Sequence, residues 1–334
     1  MSEERKKDHI ALALQSVPKN DSKLTSSFYE PLFSPHPKSS EKMSINFLDF
    51  EFDYPLWVSS MTGGTEKAEK ININLAMACE EFGLGMGLGS CRSLLDSRSR
   101  LQDFDVRKYM PHRPLFTNFG IAQLEELIFK NNFNKVLDVV SMLSADGIII
   151  HVNPLQEWLQ PEGDRYQQSP LNTIETILKY TDLPVIVKEV GQGFGPRSLN
   201  TLLCLPLAAI ELAGYGGTNF SLLEEARMNQ DLNIKKEINH CFGTIGHTCD
   251  EMIPWINQIQ SPKCKNIIIS GGIKNVVMAA ELRSKLKRNS VIGLASALLQ
   301  YAQNDYKTLQ SFLNEYLMAF KMASGILEDN CGNS

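Results

Sequence analysis

The sequence predicts an α/β protein: a (β/α)8 barrel of the TIM type over residues 51–334, preceded by an N-terminal arm over residues 1–50. Three observations predict it. Eight short apolar runs recur along the chain, each ending in small or polar residues, and stretches of helical spacing lie between most of them. Polar groups stand at nearly every run's end, whereas a doubly wound open sheet, the rival architecture, gathers them at one switch point. Such a barrel takes about 250 residues, so a chain of 334 has room for the arm and one insertion.

The first run is Pro55 to Met61 (P-L-W-V-S-S-M), and in the following Glu66 to Phe82 the apolar Ile73, Met77 and Phe82 roughly follow helical spacing among charges. The second, Gly83 to Ser90, has four glycines in eight residues, which lowers strand propensity but lets a cofactor approach the backbone. Pro114 to Gly120 (P-L-F-T-N-F-G) is the third. In the fourth, Gly147 to Glu157, the run G-I-I-I stops in His151, Asn153, Gln156 and Glu157. Consecutive isoleucines read as a strand buried on both faces, and polar groups at its end mark the place where such barrels keep their chemistry. Pro184 to Val190 (P-V-I-V-K-E-V) brings Lys188 out of an apolar strand. Ala208 to Gly214, Asn266 to Gly272 and Ser290 to Ser296 complete the eight.

Composition narrows the function. A hydrophobic content of 43% without a low-complexity linker implies one large core. A net charge of -5 argues against a nucleic-acid-binding surface, and the basic cluster Arg5, Lys6, Lys7 is too short to be a binding arm by itself. Seven cysteines with no C-x-x-C pair suggest neither a disulfide framework nor structural zinc, but reduced thiols in a cytoplasmic protein. His240, Cys241, His247 and Cys249 lie close in sequence, yet their spacing matches no common zinc motif. The polar N-terminus is no secretory signal, and no apolar run approaches the roughly 20 residues of a membrane span. Ser16 to Ser44, rich in Ser, Pro and Lys, reads as an extended arm.

The last two strand ends carry a phosphate signal: Ser270, Gly271, Gly272, Ile273, and Gly293, Leu294, Ala295, Ser296. Loops after the seventh and eighth strands are the usual phosphate site of these barrels, because backbone N–H groups point outward and glycine admits a phosphate oxygen. Gly216, Gly217 and Thr218 add donors from a third direction, which suits a mononucleotide phosphate. Lys188 at the barrel mouth can stabilise an anionic flavin ring or form an ion pair with Glu157 or Glu189. Met61, Thr62, Gly63 and Gly64, with Ser90 and Asn118, are placed to line that ring.

Taken together, R-K-K-D-H-I at residues 5 to 10, S-S-M-T-G-G-T at 59 to 65, G-M-G-L-G-S-C-R at 85 to 92, H-V-N-P-L-Q-E at 151 to 157, V-K-E-V-G at 187 to 191, A-G-Y-G-G-T at 213 to 218 and S-G-G-I at 270 to 273 resemble type 2 isopentenyl diphosphate isomerase over nearly the whole chain. The resemblance implies an enzyme that interconverts isopentenyl and dimethylallyl diphosphate with reduced FMN and Mg²⁺, a reductant such as NADPH keeping the flavin reduced. It also implies a homotetramer or homo-octamer. Arg5, Lys6, Ser90, Arg92, His151 and Asn153 match positions that hold the diphosphate, Gln156 matches a catalytic position beside the isoprenoid tail, and Glu157 matches the Mg²⁺ ligand. Gln156, Lys188 and His151 are the expected catalytic residues. Lys274 stands where the family usually has arginine, and Thr218 to Lys265 matches the family least. Two rivals are an FMN-dependent dehydrogenase or oxidase on the same barrel and a catalytically silent phosphate-ligand-binding or scaffold protein.

Overall fold

In the computed structural model, residues 12–13, 27–60, 67–227 and 240–328 are described. The strands are β1 (Phe28–Tyr29), β2 (Ile45–Phe47), β3 (Phe50–Phe52), β4 (Leu56–Val58), β5 (Gly85–Gly87), β6 (Leu115–Gly120), β7 (Gly147–His151), β8 (Val185–Lys188), β9 (Ala209–Glu211), β10 (Asn266–Ser270), β11 (Asn289–Leu294) and β12 (Leu327–Glu328). Strands β4 to β11 close a parallel barrel in chain order, β11 pairing with β4. Each of the eight apolar runs is therefore a barrel strand. The helices around it are α1 (Ala68–Phe82), α2 (Ile121–Phe129), α3 (Asn134–Met142), α4 (Pro154–Leu159), α5 (Pro170–Tyr180), α6 (Pro196–Leu203), α7 (Phe220–Arg227), α8 (Cys249–Gln258), α9 (Val276–Lys285), α10 (Ser296–Ala302) and α11 (Tyr306–Ile326). No described helix is long and apolar enough to cross a membrane.

Alternation along each strand splits the core in two. Outward residues such as Leu56, Ile148, Ile150, Val185, Val187, Ile267 and Ile269 pack with the helices in one cluster. Inward residues Trp57, Phe116, Ile149, Ile186, Ala209, Ile268 and Val291 form a second cluster that fills the barrel. Trp57 and Phe116 meet edge to face with ring centroids 5.8 Å apart.

The bulk of Trp57 explains the glycines of β5. A Cβ on Gly85 would lie 2.5 Å from the indole and 2.7 Å from the Phe52 ring, and one on Gly87 would lie 2.5 Å from Ile149 Cδ1. These two glycines make room for core side chains.

The bottom of the barrel is closed by the β2–β3 hairpin, which lies across residue 50, where the arm was expected to end. Phe47, Leu48 and Phe52 join the interior cluster, and Asn289 Nδ2 ties the hairpin to the barrel through Asn46 O at 2.9 Å. Leu48 and Asp49 turn the hairpin with φ of 56° and 64°. A left-handed leucine costs about 1–2 kcal/mol. Burying its side chain returns about 1.5–3 kcal/mol, and Leu48 is 7% exposed.

Candidate active site

Two residues beyond the apolar filling, the same alternation points polar groups inward at the carboxyl ends of the strands. Following Trp57, Phe116, Ile149, Ile186, Ala209 and Ile268 at a spacing of two come Ser59, Asn118, His151, Lys188, Glu211 and Ser270. His151 pairs in register with Lys188, and Lys188 with Glu211. The polar layer and the loops above it divide into two parts.

On the β8 to β11 side lies a cavity of about 470 Å³, within the roughly 300–1,000 Å³ typical of ligand sites. Its walls include Lys188, Glu211, Thr218, Gly271, Gly272, Lys274, Ala295 and Ser296. Gly271 and Gly272 have φ of 86° and 70°. A Cβ on Gly271 would lie 2.2 Å from Gly214 N, and one on Gly272 2.5 Å from Tyr215 O, so the loop after β10 can follow this path only with glycine. Beneath it, Cys249 donates its S–H towards the Ser270 and Gly271 carbonyls at 3.3 and 3.5 Å, and burial pushes the thiol up to about 12. His247 stands edge-on to Trp255. Among the described residues no group of three or more His, Cys, Asp or Glu gathers to hold a metal.

On the β6 to β7 side, Asn118 Nδ2 donates to Leu88 O at 3.1 Å and so turns its Oδ1 to His151 Nδ1 at 2.8 Å. The proton must be on Nδ1, which leaves Nε2 with a lone pair. Burial, assisted by the charge of Lys188, lowers His151 to about 3. Asn153 precedes α4, whose first residue is Pro154, and that turn sets three side chains side by side. Asn153 Nδ2 donates to Gln156 Oε1 at 3.1 Å and to Glu157 Oε1 at 3.0 Å, while its Oδ1 accepts from Tyr166 OH at 3.1 Å. Glu157 Oε2 accepts from the Asp164 backbone N–H at 2.7 Å.

Against known proteins, no family model matches the chain. The chain is 33% identical to the isopentenyl-diphosphate delta-isomerase of Rickettsia felis over 318 residues, covering 93% of this chain and 88% of the relative. The enzyme of the same name from Nostoc sp. is 33% identical over 322 residues, covering 95% and 89%. The chain belongs to the isopentenyl-diphosphate delta-isomerase family. Its barrel is also similar in fold to mandelate oxidase: a variant with benzaldehyde gives a TM-score of 0.59 at 14% identity, covering 90% of this chain and 81% of that one. Mandelate oxidase with (S)-4-hydroxymandelic acid gives 0.55 at 13% identity, covering 90% and 82%. At those identities the likeness concerns the barrel alone.

In this isopentenyl-diphosphate delta-isomerase family barrel, the described residues among those singled out in the sequence fall into three groups. Lys188, Thr218, Gly271, Gly272, Ala295 and Ser296 line the one cavity. His151 pairs with Asn118, and Asn153 bonds Gln156 and Glu157, in two hydrogen-bonded sets on the β6 to β7 side. Ser90 and Arg92 are exposed at the end of β5, where Arg92 Nη1 meets Asp164 Oδ2 at 3.0 Å. Arg5, Lys6, Met61, Thr62 and Gly63 lie outside the described residues. Lys188 Nζ donates to the main-chain Glu189 O at 2.8 Å, and Glu189 Oε2 instead takes the N–H groups of residues 190 to 193.

Sequence reasoning missed the partners of this isomerase-family motif. Glu224 on α7, 2% exposed, accepts from Gln160 Nε2 at 2.8 Å and, more distantly, from Gln156 Nε2 at 3.5 Å. Its other oxygen meets Arg227 at 2.7 Å. Asp164 holds both Arg92 and Gln123. The available signal was a helix whose polar residues Ser221 and Glu224 share a face one turn apart.

Proposed function

We propose that the chain is an isopentenyl-diphosphate delta-isomerase that interconverts isopentenyl and dimethylallyl diphosphate by proton transfer, with reduced FMN and Mg²⁺. The observation that carries this reading is the Gln156 amide, held by Asn153 on one side and facing Glu224 on the other, beside a cavity with glycine-built loops. The cavity fits a flavin mononucleotide: the loops after β9, β10 and β11 present backbone donors, Lys274 supplies a cation for the phosphate, and Lys188 offers positive charge to an anionic ring. Met61, Thr62, Gly63, Ser90 and Asn118 complete the ring site in this reading. When bound and reduced, the flavin supplies a proton donor and acceptor to the allylic carbons.

The protein's own residues bind and orient. Arg92, Ser90, His151 and Asn153, with Arg5 and Lys6 from a capping arm over residues 1–50, take the diphosphate. Glu157 keeps a lone pair on each oxygen beyond its present hydrogen bonds, so it can join Mg²⁺ together with diphosphate oxygens and waters. Gln156 lies where a fixed amide can position the isoprenoid carbons against the proton donor. NADPH serves as reductant, the assembly is a homotetramer or homo-octamer, and the protein works in the cytoplasm.

The test is an anaerobic assay with FMN, Mg²⁺ and isopentenyl diphosphate, with and without a reductant for the flavin. Dimethylallyl diphosphate formed only with reduced flavin supports the isomerase. A bound, reducible flavin that yields no product would turn the search to an oxidisable substrate.

A further inference from the structure

Glu211, the last residue of β9, belongs to the inward polar layer. It is fully buried, points into the barrel mouth beside Lys188 and lines the cavity. One carboxylate oxygen accepts from Ser270 Oγ at 3.1 Å; the other has no partner among the described residues. Two hydroxyls of the same cavity wall, Ser59 and Ser60, also lack partners there. A buried acceptor left unpaired is costly, so its retention calls for a ligand that donates to it.

The barrel order says which part of a ligand that is. Strand β9 lies between β8, which carries Lys188 at the ring end of the proposed flavin site, and β10, which leads into the phosphate loop at Gly271 and Gly272. Between the ring and the phosphate of FMN runs a five-carbon polyol with three hydroxyl groups. A carboxylate repels phosphate but accepts well from a hydroxyl, and Lys188 spends a hydrogen bond on the Glu189 carbonyl rather than on Glu211. We infer that Glu211 is a cofactor-binding residue whose free oxygen accepts a hydrogen bond from a hydroxyl of the flavin's polyol chain. The inference rests on the flavoprotein reading above.

The experiment titrates flavin-free wild type, Glu211→Ala and Glu211→Gln with FMN and with its 2′-, 3′- and 4′-deoxy analogues, following quenching of flavin fluorescence. A charge-assisted bond of this kind makes FMN bind Glu211→Ala about ten- to a hundredfold more weakly. One deoxy analogue should bind wild type and Glu211→Ala alike, which identifies the hydroxyl. Flavin-free Glu211→Ala should melt no lower than wild type, because it loses a buried unpaired acceptor. Equal FMN affinity in wild type and Glu211→Ala, or a discrimination among analogues that is unchanged by the substitution, would overturn the inference and leave the flavoprotein reading standing. A lower melting temperature of both flavin-free variants would assign Glu211 a structural role instead. Wild type that binds no FMN would overturn both readings.

Discussion

Adding isopentenyl diphosphate to the reduced holoprotein is expected to draw a proton from solution onto His151. In the free protein the Asn118 amide fixes the imidazole as the neutral Nδ1–H form, so Nε2 can accept a hydrogen bond but cannot give one to a phosphate oxygen. Burial and Lys188 hold the group at about 3. Protonating it at pH 7 therefore costs about 5 kcal/mol, four units at about 1.36 kcal/mol each. An imidazolium about 3 Å from one phosphate charge gains about 5.5 kcal/mol at an effective dielectric constant of about 20. The two are of similar size, so His151 in the complex should titrate well above its value in the free protein and take up a measurable fraction of a proton per site at pH 7. Calorimetric titration in two buffers of different ionisation heat measures this number directly, and His151→Gln should remove it. Equal heats in the two buffers with wild type, or the same uptake in His151→Gln, would refute the reasoning.

Glu224→Gln should lower turnover about tenfold or more without changing the flavin absorbance spectrum, because a charged acceptor facing the Gln156 and Gln160 amides is lost. Gln156→Ala should also lower turnover, and steady-state assays should show the double variant little worse than the poorer single one, since the residues act as a unit. Asn153→Ala frees the Glu157 carboxylate, and the Mg²⁺ concentration for half activity should rise about 10- to 100-fold. Gly85→Ala drives a methyl into Trp57 and should cost about 1–3 kcal/mol in denaturant titration of the flavin-free protein. His151 is depressed from 6.5 to about 3, so the unfolded chain binds the extra proton between those values. Its contribution to stability is fully present above the ordinary histidine range and is lost as pH falls towards 3, which acid unfolding of wild type against His151→Gln will show.

The barrel was legible because burial on both faces of a parallel strand writes an unbroken apolar run, and each run here overlaps one barrel strand. The motif from His151 to Glu157 was legible because a strand end and the helix after it place side chains close together by local geometry alone. Glu224 was not. Helix α7 buries Ser221 and Glu224 while Leu222 and Leu223 stand 38% and 41% exposed, because its neighbour is the polar mouth and not the apolar core. The amphipathic rule then reads the helix inside out. The space that Gly85 and Gly87 leave was not legible either, since the indole and the isoleucine that need it come from other strands. Glu211 left a visible mark, a lone charge in the run A-A-I-E-L-A-G, whose meaning depends on what lies across β8 and β10.

With Phe47, Leu48 and Phe52 stoppering one end of the barrel and a solid apolar filling above them, the barrel formed by the described residues opens only at the carboxyl ends of its strands. Everything that enters the mouth must leave by the same route, so order of arrival becomes a property of the architecture. In the proposed function, a flavin seated against the polar layer would enter before the diphosphate and would exchange only after the diphosphate has left. One seated flavin would then serve many successive substrate molecules, and free substrate in the medium would slow its escape.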